Sequence, residues 1–283
     1  MSIEQFFSGY HRLRAQTEAF AALGARLSVA DDDADPVVLA ALDEVCAAVG
    51  FPDAGSLTSE QRSMLADMVR SSFKQALASL DAAKHDAGWG HTDIDVLDGQ
   101  GRASTNLVPH MAQVVSDAPI REVLDVGTGV GLLAIAIAQR WPDAHIVGID
   151  VWEPALVRAR HHVAEAGLGD RIEIRHQDVT TLAERDRYDC GWLPAPFLPR
   201  EVLAAAIPRV IEAVKPGGLV AIGVQRTPDD PLAAATQRLR NICDTGACPT
   251  VDSVLAMCHE AGLDATVLNP DATIPISYVG GRV

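Results

Sequence analysis

The stretch Val123-Leu124-Asp125-Val126-Gly127-Thr128-Gly129-Val130-Gly131-Leu132-Leu133 decides how this chain folds. An apolar run of strand character enters three glycines at alternate positions and passes straight into a helical stretch rich in Ala, Leu and Ile. Glycine permits positive φ and lets a ligand come close to the main chain. The helix that follows points its free N–H groups and the positive end of its dipole at whatever sits there. A dinucleotide fingerprint would need the third glycine at position 132, and that residue is Leu. Asp125, just ahead of the first glycine, can face an ammonium group, which suits a ligand with an amino-acid end.

Outward from this loop, short Val- and Ile-rich runs alternate with helical stretches. That alternation predicts βαβ units and a parallel sheet. The strands are expected at Glu122–Val126, His145–Asp150, Arg171–His176, Tyr188–Leu193, Leu219–Val224, Ala265–Leu268 and Ile276–Val283. Helices are expected near Leu132–Arg140, Pro154–Ala166, Thr181–Arg185, Glu201–Val214, Pro231–Cys243 and Val251–Ala261. Only a short turn with Pro and Asp separates the last two strands, so they should pair as an antiparallel hairpin at the sheet edge. Upstream the chain reads as helical over Ile3–Leu27, Val37–Val49 and Ser59–Lys84, with breaks at Asp31 to Pro36 and Gly50 to Gly55. Residues 1–110 are therefore expected to form an N-terminal helical domain and 111–283 the sheet domain.

The bulk numbers bound the function. The chain has 283 residues, 48% of them hydrophobic and 22% charged, so it can bury a sizeable core. Its formal net charge of −15 is spread over both parts, a field that repels phosphate backbones and argues against nucleic acid as a partner. No signal-peptide pattern opens the chain, and Val130 to Ala138 is far too short to span a bilayer, which argues against a membrane role. The five cysteines are scattered and odd in number, which suits a reduced, cytoplasmic setting. Cys243, Cys248, Cys258 and His259 lack a Cys-x-x-Cys pair, so no metal site is expected.

Residues 121–225 resemble the core of the class I S-adenosylmethionine-dependent methyltransferase family, of the small-molecule type with an N-terminal helical domain. The likeness lies in Leu124 to Gly131, in Gly148-Ile149-Asp150, in Arg171-Ile172-Glu173 to Asp178, and in Val214-Lys215-Pro216-Gly217-Gly218-Leu219. It implies a Rossmann-like, seven-stranded, mostly parallel α/β sheet and S-adenosylmethionine as cofactor. By that resemblance Asp125, Gly127, Thr128, Gly129 and Gly131 cradle the methionine part. Asp150 holds the ribose, Val151 lies on the adenine, and Asp178 with the Val179 amide reads the adenine edge. Arg102 and Ser104, in a lid-like segment, would meet the carboxylate, Arg through its fork of donors.

The acceptor side departs from one branch of the family. Amino-group methyltransferases commonly end the fourth strand in Asn or Asp, two prolines and an aromatic residue. Here Leu193 stands at the polar position, at the edge of the cofactor-binding set, and Pro194-Ala195-Pro196-Phe197 follows. The remaining rim of Trp89, Trp192, Pro196 and Phe197 suits a flat, partly apolar small molecule methylated at oxygen or carbon, in a specialised-metabolite pathway. His91 first, then His85 and His110, flank the lid-like segment and are candidates for a general base. A protein or peptide acceptor, or a non-catalytic cofactor-binding subunit, remain the rival readings. A homodimer is compatible with the chain.

Overall fold

The computed structural model describes residues 3–29, 34–78, 80, 89–115, 120–272 and 274–283. The chain divides into two units, one of residues 1–78 and 94–100, the other of residues 79–93 and 101–283.

The first unit is built from α1 (Ile3–Ser28), α2 (Pro36–Ala48) and α3 (Ser59–Ala78). Asp35 caps α2 by accepting the Val37 N–H at 2.8 Å, with Pro36 in the first turn. Leu23, Leu27, Cys46, Ala54, Ala66 and Val69 form its core. Gly24 lets α1 and α3 approach closely, since a Cβ there would lie 2.7 Å from Val69 Cγ1. Arg26, 4% exposed, is paired to Asp43 at 2.6 Å. The third helix is described from Ser59 to Ala78, and the rest of its expected stretch to Lys84 falls largely on residues 79 and 81–88, which, with His85, lie outside the described residues.

The second unit carries a seven-stranded sheet in the order β3-β2-β1-β4-β5-β7-β6. Its strands are β1 (Glu122–Val126), β2 (His145–Asp150), β3 (Ile172–His176), β4 (Tyr188–Pro194), β5 (Val214–Gln225), β6 (Thr266–Val267) and β7 (Ile276–Arg282). The first five are parallel, and β7 runs antiparallel between β5 and the edge strand β6. The expected closing hairpin is therefore present. Between the strands lie α6 (Leu132–Arg140), α7 (Glu153–Glu165), α8 (Arg200–Ala213), α9 (Pro231–Thr245) and α10 (Val251–Glu260). The short helix expected at Thr181–Arg185 is instead a single 3-10 turn at Val179–Thr181, begun by Asp178 accepting the Thr180 N–H.

Strand alternation divides the core between the two sheet faces. Leu124, Val126, Ile149, Leu193 and Ile222 pack with Ile207 and Val210 of α8 and Val254 of α10. Val123, Ile146, Trp192, Ala221 and Tyr278 pack with Leu133 and Ile137 of α6. Strand order reverses between β1 and β4, so a crevice opens beyond their carboxyl ends, where open α/β sheets bind ligands.

The lid-like segment that carries Arg102 and Ser104 is helical, within α4 (Ile94–Thr105), followed by α5 (Val108–Val115). Its glycines serve close packing rather than a turn. A Cβ on Gly99 would meet Ser71 Cβ at 2.6 Å, and one on Gly101 would collide with Val130 Cγ2.

Candidate active site

The glycine loop leaves β1 with three left-handed residues: Gly127 (φ +65°), Gly129 (φ +54°) and Gly131 (φ +76°). A Cβ on Gly127 would press on Pro194 Cγ at 3.1 Å, so the loop and the end of β4 share one wall of the crevice. Gly131 is the N-cap of α6 and offers no side-chain cap, which leaves the first N–H groups of that helix facing the crevice.

Beneath the loop Asp125 is 1% exposed. Its Oδ2 accepts the Thr128 hydroxyl at 2.7 Å, whereas Oδ1 is buried with no partner. Burial pushes this carboxyl up to about 7, against the opposing pull of the Thr128 hydroxyl. Gly148 on β2 makes room for the arrangement, since a Cβ there would lie 2.6 Å from Thr128 Oγ1.

Asp150 ends β2 one strand away. Its Oδ2 accepts the Gly129 N–H and its Oδ1 the Trp152 N–H, each at 2.9 Å. Burial raises its pKa, and those two amides oppose the rise. Val151, next in line, is 60% exposed and presents an apolar surface. Asp178 is exposed at the end of β3, with Oδ1 held by the Thr180 amide and hydroxyl at 2.8 Å each, while Val179 is buried. The close approach of Gly101 to Val130 brings the C-terminal turn of α4, with half-buried Arg102 and Ser104, beside the glycine loop. The Ser104 hydroxyl donates to the Gly101 carbonyl at 2.6 Å.

These residues fit S-adenosylmethionine. The orphaned buried oxygen of Asp125 suits an ammonium, the glycine cradle suits close contact with main chain, and Asp150 suits vicinal hydroxyls. Residues 125–131, 150 and 151 would hold the cofactor, which supplies an electrophilic methyl carbon on a sulfonium.

The acceptor side is partly corrected by the structure. Trp192 is 2% exposed with its ring edge-on to Tyr278 at 5.6 Å, and Leu193 is 0% exposed in the opposite core. Neither forms an open rim, because β4 is a central strand with both faces covered. Trp89 and Phe197 do meet, ring centroids 5.2 Å apart and perpendicular, and Pro196, next to Phe197 in the chain, is buried. His91 joins them, 4.8 Å from the Trp89 ring. His110 is half-buried in α5, and the ring and ion-pair contacts of this cluster among the described residues do not include it. No group of His, Cys, Asp or Glu among the described residues has metal-binding geometry.

Sequence reasoning missed two members of this cluster. Trp152 donates its indole N–H to the His91 carbonyl at 2.9 Å. Asp244 of α9 places Oδ1 3.7 Å from His91 Nε2. The only signal for Asp244 was its place on the polar stripe of a helix, which equally marks a solvated face.

Residues 123–218 match the family described as "Methyltransferase domain". A tRNA1(Val) (adenine(37)-N6)-methyltransferase of Vibrio parahaemolyticus serotype O3:K6 is 38% identical over 85 residues, covering 30% of this chain and 35% of that protein. The chain thus spans about a third of the length of the first curated relatives it matches. Two solved structures are alike over nearly their whole length. One is the S-adenosylmethionine-dependent methyltransferase SibL in its apo form, with TM-score 0.69, 19% identity and coverage of 97% of this chain and 98% of that one. The other is human N-acetylserotonin methyltransferase in complex with SAM, with TM-score 0.69, 16% identity and coverage of 100% and 98%. With this sheet order and glycine loop, the chain has the fold of these methyltransferase structures, and residues 123–218 match a methyltransferase domain.

Proposed function

We propose that this protein transfers the methyl group of S-adenosylmethionine to oxygen, or to an activated carbon, of a small and partly apolar molecule. The observation that carries the reading is Asp125. A fully buried carboxylate oxygen without a partner, beneath three left-handed glycines and an uncapped helix N-terminus, is costly unless a cation arrives to meet it.

The chain's own residues then hold and orient. Asp125 faces the ammonium, Asp150 the ribose hydroxyls, Asp178 and Val179 the adenine edge, and Arg102 and Ser104 the carboxylate. Trp89, Pro196 and Phe197 bound the acceptor side. The Pro194-Ala195-Pro196-Phe197 run that leaves β4 carries no side-chain hydrogen-bonding group for an amino nitrogen, which favours oxygen or carbon. For a hydroxyl acceptor, His91 takes the proton.

The whole-length likeness to small-molecule methyltransferases supports the acceptor class, and the charge of −15 counts against nucleic acid. Residues 1–110 act as the acceptor-selecting lid domain and 111–283 as the cofactor-binding domain. The setting is cytoplasmic, in a specialised-metabolite pathway. The test is release of S-adenosylhomocysteine with a panel of phenolic, hydroxylated heteroaromatic and carboxylic acceptors, followed by mass-spectrometric localisation of the methyl group. A new methyl on nitrogen would reject the acceptor assignment.

A further inference from the structure

Resting on that methyl-transfer reading, we propose that Asp244 is the positioning residue for His91. It holds the Nε2–H so that Nδ1 is the nitrogen that receives the acceptor's proton.

The argument begins on α9. Gln237, Asn241 and Asp244 recur at spacings of four and three residues, so they share one helix face. Gln225, the last residue of β5, pins that face. Its Oε1 accepts from Gln237 Nε2 at 3.1 Å and from Asn241 Nδ2 at 3.0 Å. Thr245, 7% exposed, donates its hydroxyl to the Asn241 carbonyl at 3.0 Å. The end of the sheet thereby fixes the helix that carries Asp244.

His91 is clamped from the other side. Trp152 holds its carbonyl at 2.9 Å, and Trp152 is itself held by Asp150. The Trp89 ring stands edge-on to the imidazole and packs on Phe197. The His91 and Asp244 side chains are 19% and 14% exposed, so their contact is not a solvated surface pair.

A neutral imidazole has one N–H and one lone pair, and the partner of one nitrogen decides the role of the other. A carboxylate at Nε2 favours the Nε2–H tautomer and leaves the lone pair on Nδ1. Among the described residues Nδ1 makes no hydrogen bond. In the proton step the acceptor's O–H bond breaks and the proton goes to Nδ1, while the electron pair left on oxygen forms the bond to the methyl carbon as that carbon's bond to the sulfonium sulfur breaks with its electrons going to sulfur. The imidazolium charge then faces the Asp244 carboxylate. Contacts of this kind are often long before substrate binds and tighten afterwards.

Two measurements test this. In 15N-labelled protein without cofactor or acceptor, long-range 1H–15N spectra at neutral pH should show His91 protonated at Nε2 and bare at Nδ1. Asp244→Ala should turn that into a mixture, and Asp244→Glu should restore it. With an acceptor found in the panel, Asp244→Ala should lower turnover about tenfold or more, within the range that proton transfer contributes, with S-adenosylhomocysteine affinity unchanged. An Nδ1–H tautomer in the parent protein, or an unchanged spectrum or rate in Asp244→Ala, overturns the Asp244 assignment and leaves the methyl-transfer reading standing. No turnover by the parent protein with any acceptor sinks that reading, and the base role with it.

Discussion

Trp152 joins the two halves of the candidate site: its indole N–H meets the carbonyl of His91 at 2.9 Å while its backbone N–H meets Asp150 at 2.9 Å. The strand end that would bind ribose therefore also fixes the segment that bears Trp89 and His91. Trp152→Phe keeps the ring and removes the donor. We expect S-adenosylhomocysteine affinity to stay within about twofold by calorimetry, since the Asp150 bond is to backbone. The KM for the acceptor should rise several-fold, consistent with about 0.5–1.5 kcal/mol for one neutral hydrogen bond. Loss of cofactor affinity with an unchanged acceptor KM would contradict this division of roles.

The Asp150 carboxylate itself should matter for the cofactor. Asp150→Ala should weaken S-adenosylmethionine and S-adenosylhomocysteine binding by about 1.5–3 kcal/mol, the value of hydrogen bonds to a charged group. A thermal melt run in parallel separates this from loss of the Gly129 and Trp152 contacts. NAD should not bind either protein. Unchanged affinity in a folded variant would remove the ribose assignment.

Asp125 makes cofactor binding depend on pH. Its folded-state pKa is raised from 3.8 to about 7 by burial. The folded protein therefore holds a proton that the unfolded chain has released between these values. The free protein should lose stability as pH rises from about 4 to 7, because the native state binds more protons there. A cationic ligand reverses the preference. S-adenosylmethionine affinity should rise between pH 6 and 7.5 by at most about tenfold per pH unit, the limit for one displaced proton. Asp125→Asn should flatten both trends. Parallel pH slopes for the two proteins, in melts and in calorimetry, would reject Asp125 as the ammonium partner.

Activity should withstand chelation. Among the described residues no cluster has metal-ligand geometry, and Cys190 and Cys258 are buried with thiol pKa values pushed up to about 12 and about 11 by desolvation. Such thiols are poor ligands, because the thiolate is the binding form. Turnover lost in EDTA and restored by one divalent ion would overturn this.

The sequence by itself determined the strand–glycine loop–helix half of the candidate site. Strand, alternating glycines and helix are contiguous, and backbone sterics dictate positive φ at Gly127, Gly129 and Gly131 wherever the chain turns so tightly. Asp125 and Asp150 were legible because each sits at a strand end, where chain order alone fixes its place. The aromatic cluster on the other side of the candidate site was decided only by tertiary structure. The segment that carries Arg102 and Ser104 is helical, with Gly99 and Gly101 meeting Ser71 and Val130 at close range, and no local spacing encodes those approaches. Trp192 reads as rim from its neighbours, yet a central strand covered on both faces buries it against Tyr278. His91, Trp152 and Asp244 come from three segments far apart in the chain. No local spacing encodes their meeting, which depends on how β2, β5 and α9 pack around one crevice.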